Sequence, residues 1–415
     1  MSPHLPEIGR IAPLCLVTRH VSGAALFNAF HRDQPLFTEA SVCRSCGKEW
    51  VHWLVENERL GQGMTIASSA AGRSADDLDR ASLERWLSAK IPAIAGPIDV
   101  SKFPGGQSNP TYRVHAGSGK YVLRRKPFGP ILASAHAVDR EFRLISALHP
   151  AGFPVAKPYA LCEDPQVIGV PFYVMSLVEG RTLWDGKLPD ETPETRRAVY
   201  EAMIRTLADL HSLDHERLGL SDYGPPGNYF ERQVRRWTKQ YRAAQTEDIE
   251  TVEKLIEFLS RTVPQQTRTS IIHGDYRIDN MIFAPDGPEI LAVLDWELST
   301  LGDPLADFAY LAMQWEMPSE GESAGLKGVD FAATGIPTLD EAVTLYCELT
   351  GRDGVPDLNW YFSYNLFRLL GIVQGIRKRF LDGNASSDNA EAAGSRVPML
   401  AAASWEFARK AGAPA

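Results

Sequence analysis

Cysteine is scarce: the 415 residues hold 5, Cys15, Cys43, Cys46, Cys162 and Cys347. An odd number at such spacings is not a disulfide framework, and a reducing, cytoplasmic setting is the expected one. Cys43 and Cys46 form the sole CxxC, with His52 nearby but without the second ligand pair that a zinc site needs. No run of about 18 apolar residues occurs, so no membrane span is expected. The N-terminus lacks a charged segment followed by an apolar one, so no secretory signal is expected. Long Lys/Arg runs are absent too, and the net charge is −9. That balance argues against nucleic-acid binding, where neutralising phosphates dominates affinity. An anionic small ligand stays open, because a site can be basic inside an acidic protein.

What is present is ordinary for a soluble enzyme, with 44% apolar and 23% charged residues. The length predicts two to three folding units and a core that needs no staples. Residues 1–75 show no sustained apolar period and are expected to be a disordered N-terminal extension. Residues 1–63 in particular read as such an extension or as the product of a start codon placed too early, with a small packed module as the alternative. From about Asp79 to Lys90, Leu83, Trp86 and Leu87 share one helical face, and Pro92 closes the helix. Residues 76–178 then read as a small β-rich lobe. Thr111–Val114 and Lys120–Arg125 are strands joined by a hairpin turn, Ala135–Leu148 is a helix, and Val170–Val178 is a further strand. Residues 179–415 turn helical. Pro193 follows the cap Thr192, helices are expected near 229–243, 248–261 and 357–380, and Thr338 with Glu341 has capping-box spacing. Two short strands, Met281–Phe283 and Ile290–Leu294, interrupt the helices.

The informative segment is Ile271-Ile-His-Gly-Asp-Tyr-Arg-Ile-Asp-Asn280, followed by Val293-Leu-Asp-Trp-Glu297. It sets Asp275, Asn280 and Asp295 in an order that phosphoryl transfer from ATP requires. One carboxylate orients the attacking hydroxyl and takes its proton, while an amide oxygen and a second carboxylate are hard ligands suited to Mg²⁺. Taken singly, Asp275 would read as a turn residue and Asp295 as a strand-end cap.

These residues resemble the aminoglycoside phosphotransferase/choline-kinase-like family, a branch of the protein-kinase-like fold. His273-Gly-Asp275 and Asn280 match its HGDxxxxN motif, and Asp295-Trp296 stands where protein kinases carry DFG. The resemblance implies an α+β bilobal protein-kinase-like fold, with Asp275 as catalytic base and Asn280 and Asp295 as Mg²⁺ ligands. His273 either takes part directly or only braces the loop backbone. Gly302-Asp-Pro-Leu-Ala-Asp307 resembles the family's GxPxxD element, whose Asp receives backbone N–H groups of the catalytic loop.

The first lobe agrees. Phe103-Pro-Gly-Gly-Gln-Ser-Asn-Pro110 lies where kinases place a phosphate loop, with Gly106 freeing backbone N–H groups and Ser108 adding a hydroxyl. Arg124 stands in place of the lysine that contacts the α/β-phosphates, and Glu141 is its expected helix partner. Because Arg125 and Lys126 adjoin it, which base meets phosphate stays open; strand alternation puts Arg124 and Lys126 on one face. The Ser176 carbonyl and Val178 N–H are implied adenine contacts, although a plain core reading fits Met175 and Val178 equally. The runs GGQSNPTY and Ala135–Glu141 look more specifically like the kinase domains fused to acyl-CoA dehydrogenases in animals and their free-standing bacterial relatives. That implies ATP and Mg²⁺ as cofactors and a small-molecule acceptor with a hydroxyl, of the hydroxyacyl class, free or as a CoA thioester. A protein kinase and a non-catalytic nucleotide-binding protein are the competing readings. Arg368, Arg377 and Lys378 are candidate anion contacts, with a solvated basic face as the plainer account of the run Arg377-Lys-Arg379.

Overall fold

The computed structural model describes residues 78–94, 96–103, 109–128, 137–319, 325–383 and 394–414. The expectations for residues 1–75, Cys43 and Cys46, Gly106 and Ser108 lie outside them. All described residues fall within one compact unit, Glu49–Ala415.

Helix α1, Arg80–Lys90, starts where the Asp79 side chain accepts the Ser82 N–H, and it lays Leu83 and Leu87 inward. It covers a five-stranded antiparallel sheet in the order β1-β2-β3-β5-β4. The strands are β1 (Asp99–Lys102), β2 (Thr111–Ala116), β3 (Gly119–Arg125), β4 (Pro158–Cys162) and β5 (Phe172–Ser176). In β3 the pairing places Arg124 opposite Tyr173 on one side and Thr111 on the other. Helix α2, Val138–Leu148, crosses behind the sheet and buries Val138, Glu141, Leu144, Ile145 and Leu148. Its apolar residues join the core of the second lobe, whereas Val100, Val114, Leu123 and Phe172 form a separate small core with α1. Helix α2 also packs against β4 and β5, so the helix that carries Glu141 is anchored to both halves.

Helices α3 (Pro193–Ser212), α4 (Tyr229–Ala244) and α5 (Glu250–Arg261) open the second lobe. Thr192 caps α3 with Pro193 in the first turn, as the sequence predicts. The chain then makes two small antiparallel ladders. Strand β6 (Ser270–Ile272) pairs with β9 (Thr300–Gly302), and β7 (Met281–Phe283) pairs with β8 (Ile290–Val293). Each is only three or four residues long, yet together they set the ends of two loops beside one another. Helix α6 (Leu305–Ala312) follows at once. Helix α7 (Leu339–Thr350) has the full capping box of Thr338 and Glu341 and ends at Gly351 in the left-handed region. Helix α8 (Leu358–Leu381) runs through the lobe's centre against α9 (Val397–Lys410) and α4. Among the described residues no helix is long and apolar enough to cross a membrane.

Candidate active site

The loop His273–Asn280 leaves β6 and re-enters β7. Gly274 sits at φ +87°, and a Cβ there would meet the Leu298 carbonyl oxygen at 2.8 Å, so both conformation and space call for glycine. Asp307, 1% exposed in the first turn of α6, accepts the His273 N–H at 2.6 Å and the Gly274 N–H at 2.8 Å. This is the acceptor role that the GxPxxD resemblance implies. His211, at the end of α3, lies 3.4 Å from the same carboxylate and 2.8 Å from the Tyr346 hydroxyl.

His273 braces the loop. Its Nδ1 accepts the Asp275 N–H at 3.1 Å, so Nε2 carries the proton and donates to the Leu294 carbonyl at 2.8 Å. Asp275 is 4% exposed, its carboxylate held by one hydrogen bond and one ion pair. Asn280 Nδ2 donates to Oδ2 at 3.0 Å, and Arg277 Nε is 3.1 Å from Oδ1. The same Asn280 nitrogen reaches the Asp275 carbonyl at 2.9 Å, which commits the amide's donor side and turns its oxygen elsewhere. The Leu294 N–H donates to the Asn280 carbonyl at 2.8 Å, tying this loop to the segment that carries Asp295.

Asp295 adopts φ 63° and ψ 63°; among described non-glycine residues only Leu188 shares a positive φ. Such a conformation costs on the order of 1–3 kcal/mol and persists only where neighbours enforce it. It aims the carboxylate at the first lobe, where Arg124 Nη2 donates to Oδ1 at 2.7 Å. Arg124 also donates from Nε to Glu141 at 2.8 Å, and its Nη2 lies 3.6 Å from Glu297. Burial works against the charge on Arg124, but Glu141, Asp295 and Glu297 outweigh it and hold the guanidinium protonated well above its usual range. Burial pushes Glu141 up; Arg124 opposes that shift while Asp295 adds to it. Glu141 is further held by the Tyr173 hydroxyl at 3.0 Å and by Asn109 Nδ2 at 2.9 Å.

Arg125 points the other way, as strand alternation requires. It is 1% exposed, bonds the Tyr112 hydroxyl at 3.0 Å and lies over the Phe128 ring. Lys126 pairs with Asp139 at 3.2 Å. Of the three adjacent bases, Arg124 is the one that meets Glu141. Ser176 ends β5, and its N–H and Oγ bond the Lys157 backbone at 2.8 and 2.9 Å; Val178 follows two residues on. Tyr173 links that strand to Glu141. The structure therefore joins Asp275, Asn280, Asp295, Arg124 and Glu141 in one network beside the Ser176 strand end.

Three members of the network were missed in the sequence. Asn109 is fully buried and also reaches Glu297 at 3.4 Å. Glu297 had only its place two residues after Asp295 as a signal, and Arg277 its place two after Asp275. The candidate anion contacts also separate: Arg377 pairs with Glu247 and Lys378 with Asp382, whereas both terminal nitrogens of Arg368 reach the Gly274 carbonyl at 3.3 Å.

The donor set bears on metal. Among the described residues no group of three or more His, Cys, Asp and Glu side chains is arranged to hold an ion. One carboxylate and one amide oxygen with phosphate oxygens suit Mg²⁺, which keeps waters and demands few protein ligands.

Residues 99–341 match the family described as Phosphotransferase enzyme family, of APH type. The chain is 44% identical over 332 residues to mouse acyl-CoA dehydrogenase family member 10, covering 80% of this chain and 31% of that one. It is 40% identical over 341 residues to an Arabidopsis thaliana protein named as a probable acyl-CoA dehydrogenase, IBR3, covering 76% and 41%. The chain thus spans less than half the length of these curated relatives. A crystal structure of a protein of aminoglycoside phosphotransferase type from Ralstonia eutropha is 46% identical, with a TM-score of 0.74 over 80% of this chain and 99% of that one. Aminoglycoside phosphotransferase APH(4)-Ia, solved with AMP-PNP and hygromycin B, superposes with a TM-score of 0.51 at 16% identity over 80% and 100%, which shows the fold alone. The chain belongs to the phosphotransferase enzyme family, on the bilobal, protein-kinase-like α+β fold of the aminoglycoside phosphotransferases.

Proposed function

We propose that the protein transfers the γ-phosphoryl group of ATP, with Mg²⁺, to a hydroxyl on a small molecule of the hydroxyacyl class, free or as a CoA thioester. The observation that supports this reading is the path of contacts Asp275–Asn280–Leu294–Asp295–Arg124–Glu141, which links two carboxylates and an amide of the second lobe to a cation of the first. The similarity to acyl-CoA dehydrogenase family members supports the acceptor class.

Asp275 takes the proton of the acceptor hydroxyl as its oxygen bonds the γ-phosphorus. The bond to the β–γ bridging oxygen breaks, and ADP departs with that electron pair. Asn280 and Arg277 fix the carboxylate so that no reorientation precedes proton uptake. Asn280 Oδ1 and Asp295 would hold the ion, which supplies neutralisation of the phosphate charge. Arg124 binds the α/β-phosphates and Glu141 positions it. Gly106 and Ser108 complete the phosphate loop, and the Ser176 carbonyl and Val178 N–H receive adenine. Residues 76–178 would then be the nucleotide-binding lobe and 179–415 the lobe that holds the acceptor, in a cytoplasmic protein that binds no nucleic acid and has no membrane span.

The test is Mg²⁺-dependent ADP formation by the purified protein with and without hydroxy fatty acids and their CoA thioesters, products being identified by mass spectrometry. A phosphorylated hydroxyacyl product is expected. ATP binding without turnover on any acceptor would favour the non-catalytic reading, and phosphorylated protein substrates would favour a protein kinase.

A further inference from the structure

Helix α8 carries three arginine or lysine residues in a row near its C-terminus, and they are not alike. Arg377 and Lys378 each have a carboxylate partner. Arg379 has no ion-pair partner among the described residues, and its Nε is buried without a hydrogen bond. Burial alone acts on it, lowering its pKa with no opposing charge to restore it. A half-buried guanidinium left without a counter-ion costs free energy that an anion would return.

Its place on the helix says where that anion comes from. Arg368, Ile372, Gly375 and Arg379 follow at intervals of four, three and four, so they share one face. Contact geometry agrees, since a Cβ at Gly375 would lie 3.7 Å from Arg379 Nη1. The inner end of the stripe is at the active site: Arg368 reaches the carbonyl of Gly274, the residue before Asp275, and its guanidinium stands 5.6 Å from the Tyr310 ring centroid. The outer end is three turns away, about 16 Å along the axis. Between them lie partly buried Ile372 and the bare backbone of Gly375. Helix α4 packs along the adjoining face, with Trp237 3.2 Å from where a Gly371 Cβ would stand and the Ala244 carbonyl bonded to Gln374 at 2.7 Å.

We propose that this face of α8 is the acceptor track. The acceptor lies with its hydroxyl at Asp275, an apolar stretch over Ile372 and Gly375, and an anionic group on Arg379. The inference rests on the phosphotransferase reading and deepens it, because it selects elongated acceptors with an anion remote from the reacting hydroxyl. Two sources supply that chemistry, the phosphates of a CoA carrier and the carboxylate of a free long-chain hydroxy acid.

Calorimetric titration of the full chain with coenzyme A in the presence of ADP tests the first source. The KM of a free long-chain hydroxy acid tests the second. Arg379→Ala is expected to weaken one of these by about tenfold, the usual scale for losing a charge-assisted bond. Arg379→Lys should recover part of the loss, and Arg377→Ala, which removes a cation already paired with Glu247, should leave both unchanged. Since Arg379 makes no ion pair among the described residues, Arg379→Ala should not lower the melting temperature. If coenzyme A binding falls, the carrier phosphates occupy the seat; if only the hydroxy-acid KM rises, the carboxylate does. If neither responds while ATP binds normally, the track is wrong and the phosphotransferase reading stands. If coenzyme A binding depends on Arg379 but ATP neither binds nor turns over, the track stands and that reading fails.

Discussion

Arg124 Nη2 and Asp295 Oδ1 meet at 2.7 Å, across 171 residues of chain and from one lobe to the other. The same guanidinium holds Glu141 and stands 3.6 Å from Glu297, so one cation faces three carboxylates. A buried ion pair is weak ground for claiming stability, because desolvation offsets much of the attraction. Its value here is positional. Arg124 fixes the direction of Asp295, whose backbone is strained, and sets the approach of β3 to the catalytic loop.

Arg124→Ala should lower kcat/KM for ATP at least tenfold, in line with losing a bond worth about 1.5–3 kcal/mol. Arg124→Lys should recover activity in part, since an ammonium cannot span Glu141 and Asp295 as a fork does. Glu141→Gln should cost less than Arg124→Ala. Arg125→Ala, which frees the Tyr112 hydroxyl, should lower the melting temperature and leave kcat/KM near that of the parent. Steady-state kinetics of the four variants decide it; a crippled Arg125→Ala beside an active Arg124→Ala would assign phosphate to the wrong base.

Asp295→Ala should weaken ATP binding measured with Mg²⁺ more than binding measured with a chelator present. The removed carboxylate is the proposed metal ligand, and the purine contacts stay. Equal losses under both conditions contradict the metal role.

Gly274→Ala should destabilise the protein by several kcal/mol, about 1–2 from the left-handed backbone and the rest from collision with Leu298. Chemical denaturation measures it. A variant as stable as the parent would mean that the loop can take another path.

Much of this site was legible because its chemistry is local in sequence. Asp275, Asn280 and Asp295 lie within one loop and one hairpin, and alternation along β3 separated Arg124 from Arg125. The caps Thr192 and Thr338 are likewise local, and the helices begin where they predict. Asn109 shows the limit. Its partners Glu141 and Glu297 are 32 and 188 residues away, and no periodicity reports such a contact. Strands β6 and β9 are three residues each, too short for alternation to register. Helix α9 was overlooked because its alanines fit a buried face and a loop alike. The basic run at 377–379 read as one solvated face, whereas distant Glu247 distinguishes Arg377 from Arg379.

Asp307→Asn keeps the shape of the loop's brace but offers one acceptor oxygen where the His273 and Gly274 N–H groups now have two. An unsatisfied buried donor costs about 1–3 kcal/mol, so the melting temperature should fall by several degrees. Turnover should fall with it while the KM for ATP holds, because the brace positions Asp275 and not the nucleotide. An unchanged kcat would show that the loop is held without this carboxylate.

The central claim is that Asp275 takes the proton of the acceptor hydroxyl. Its most direct test is single-turnover transfer by Asp275→Asn at saturating Mg²⁺ and ATP, with nucleotide affinity measured on the same sample. The amide keeps the side chain's size and can still bond Asn280, but it cannot accept the hydroxyl proton. The account predicts parent-like ATP affinity with a transfer rate lower by about 10²–10⁴-fold. A transfer rate equal to the parent's, at equal affinity, would contradict it.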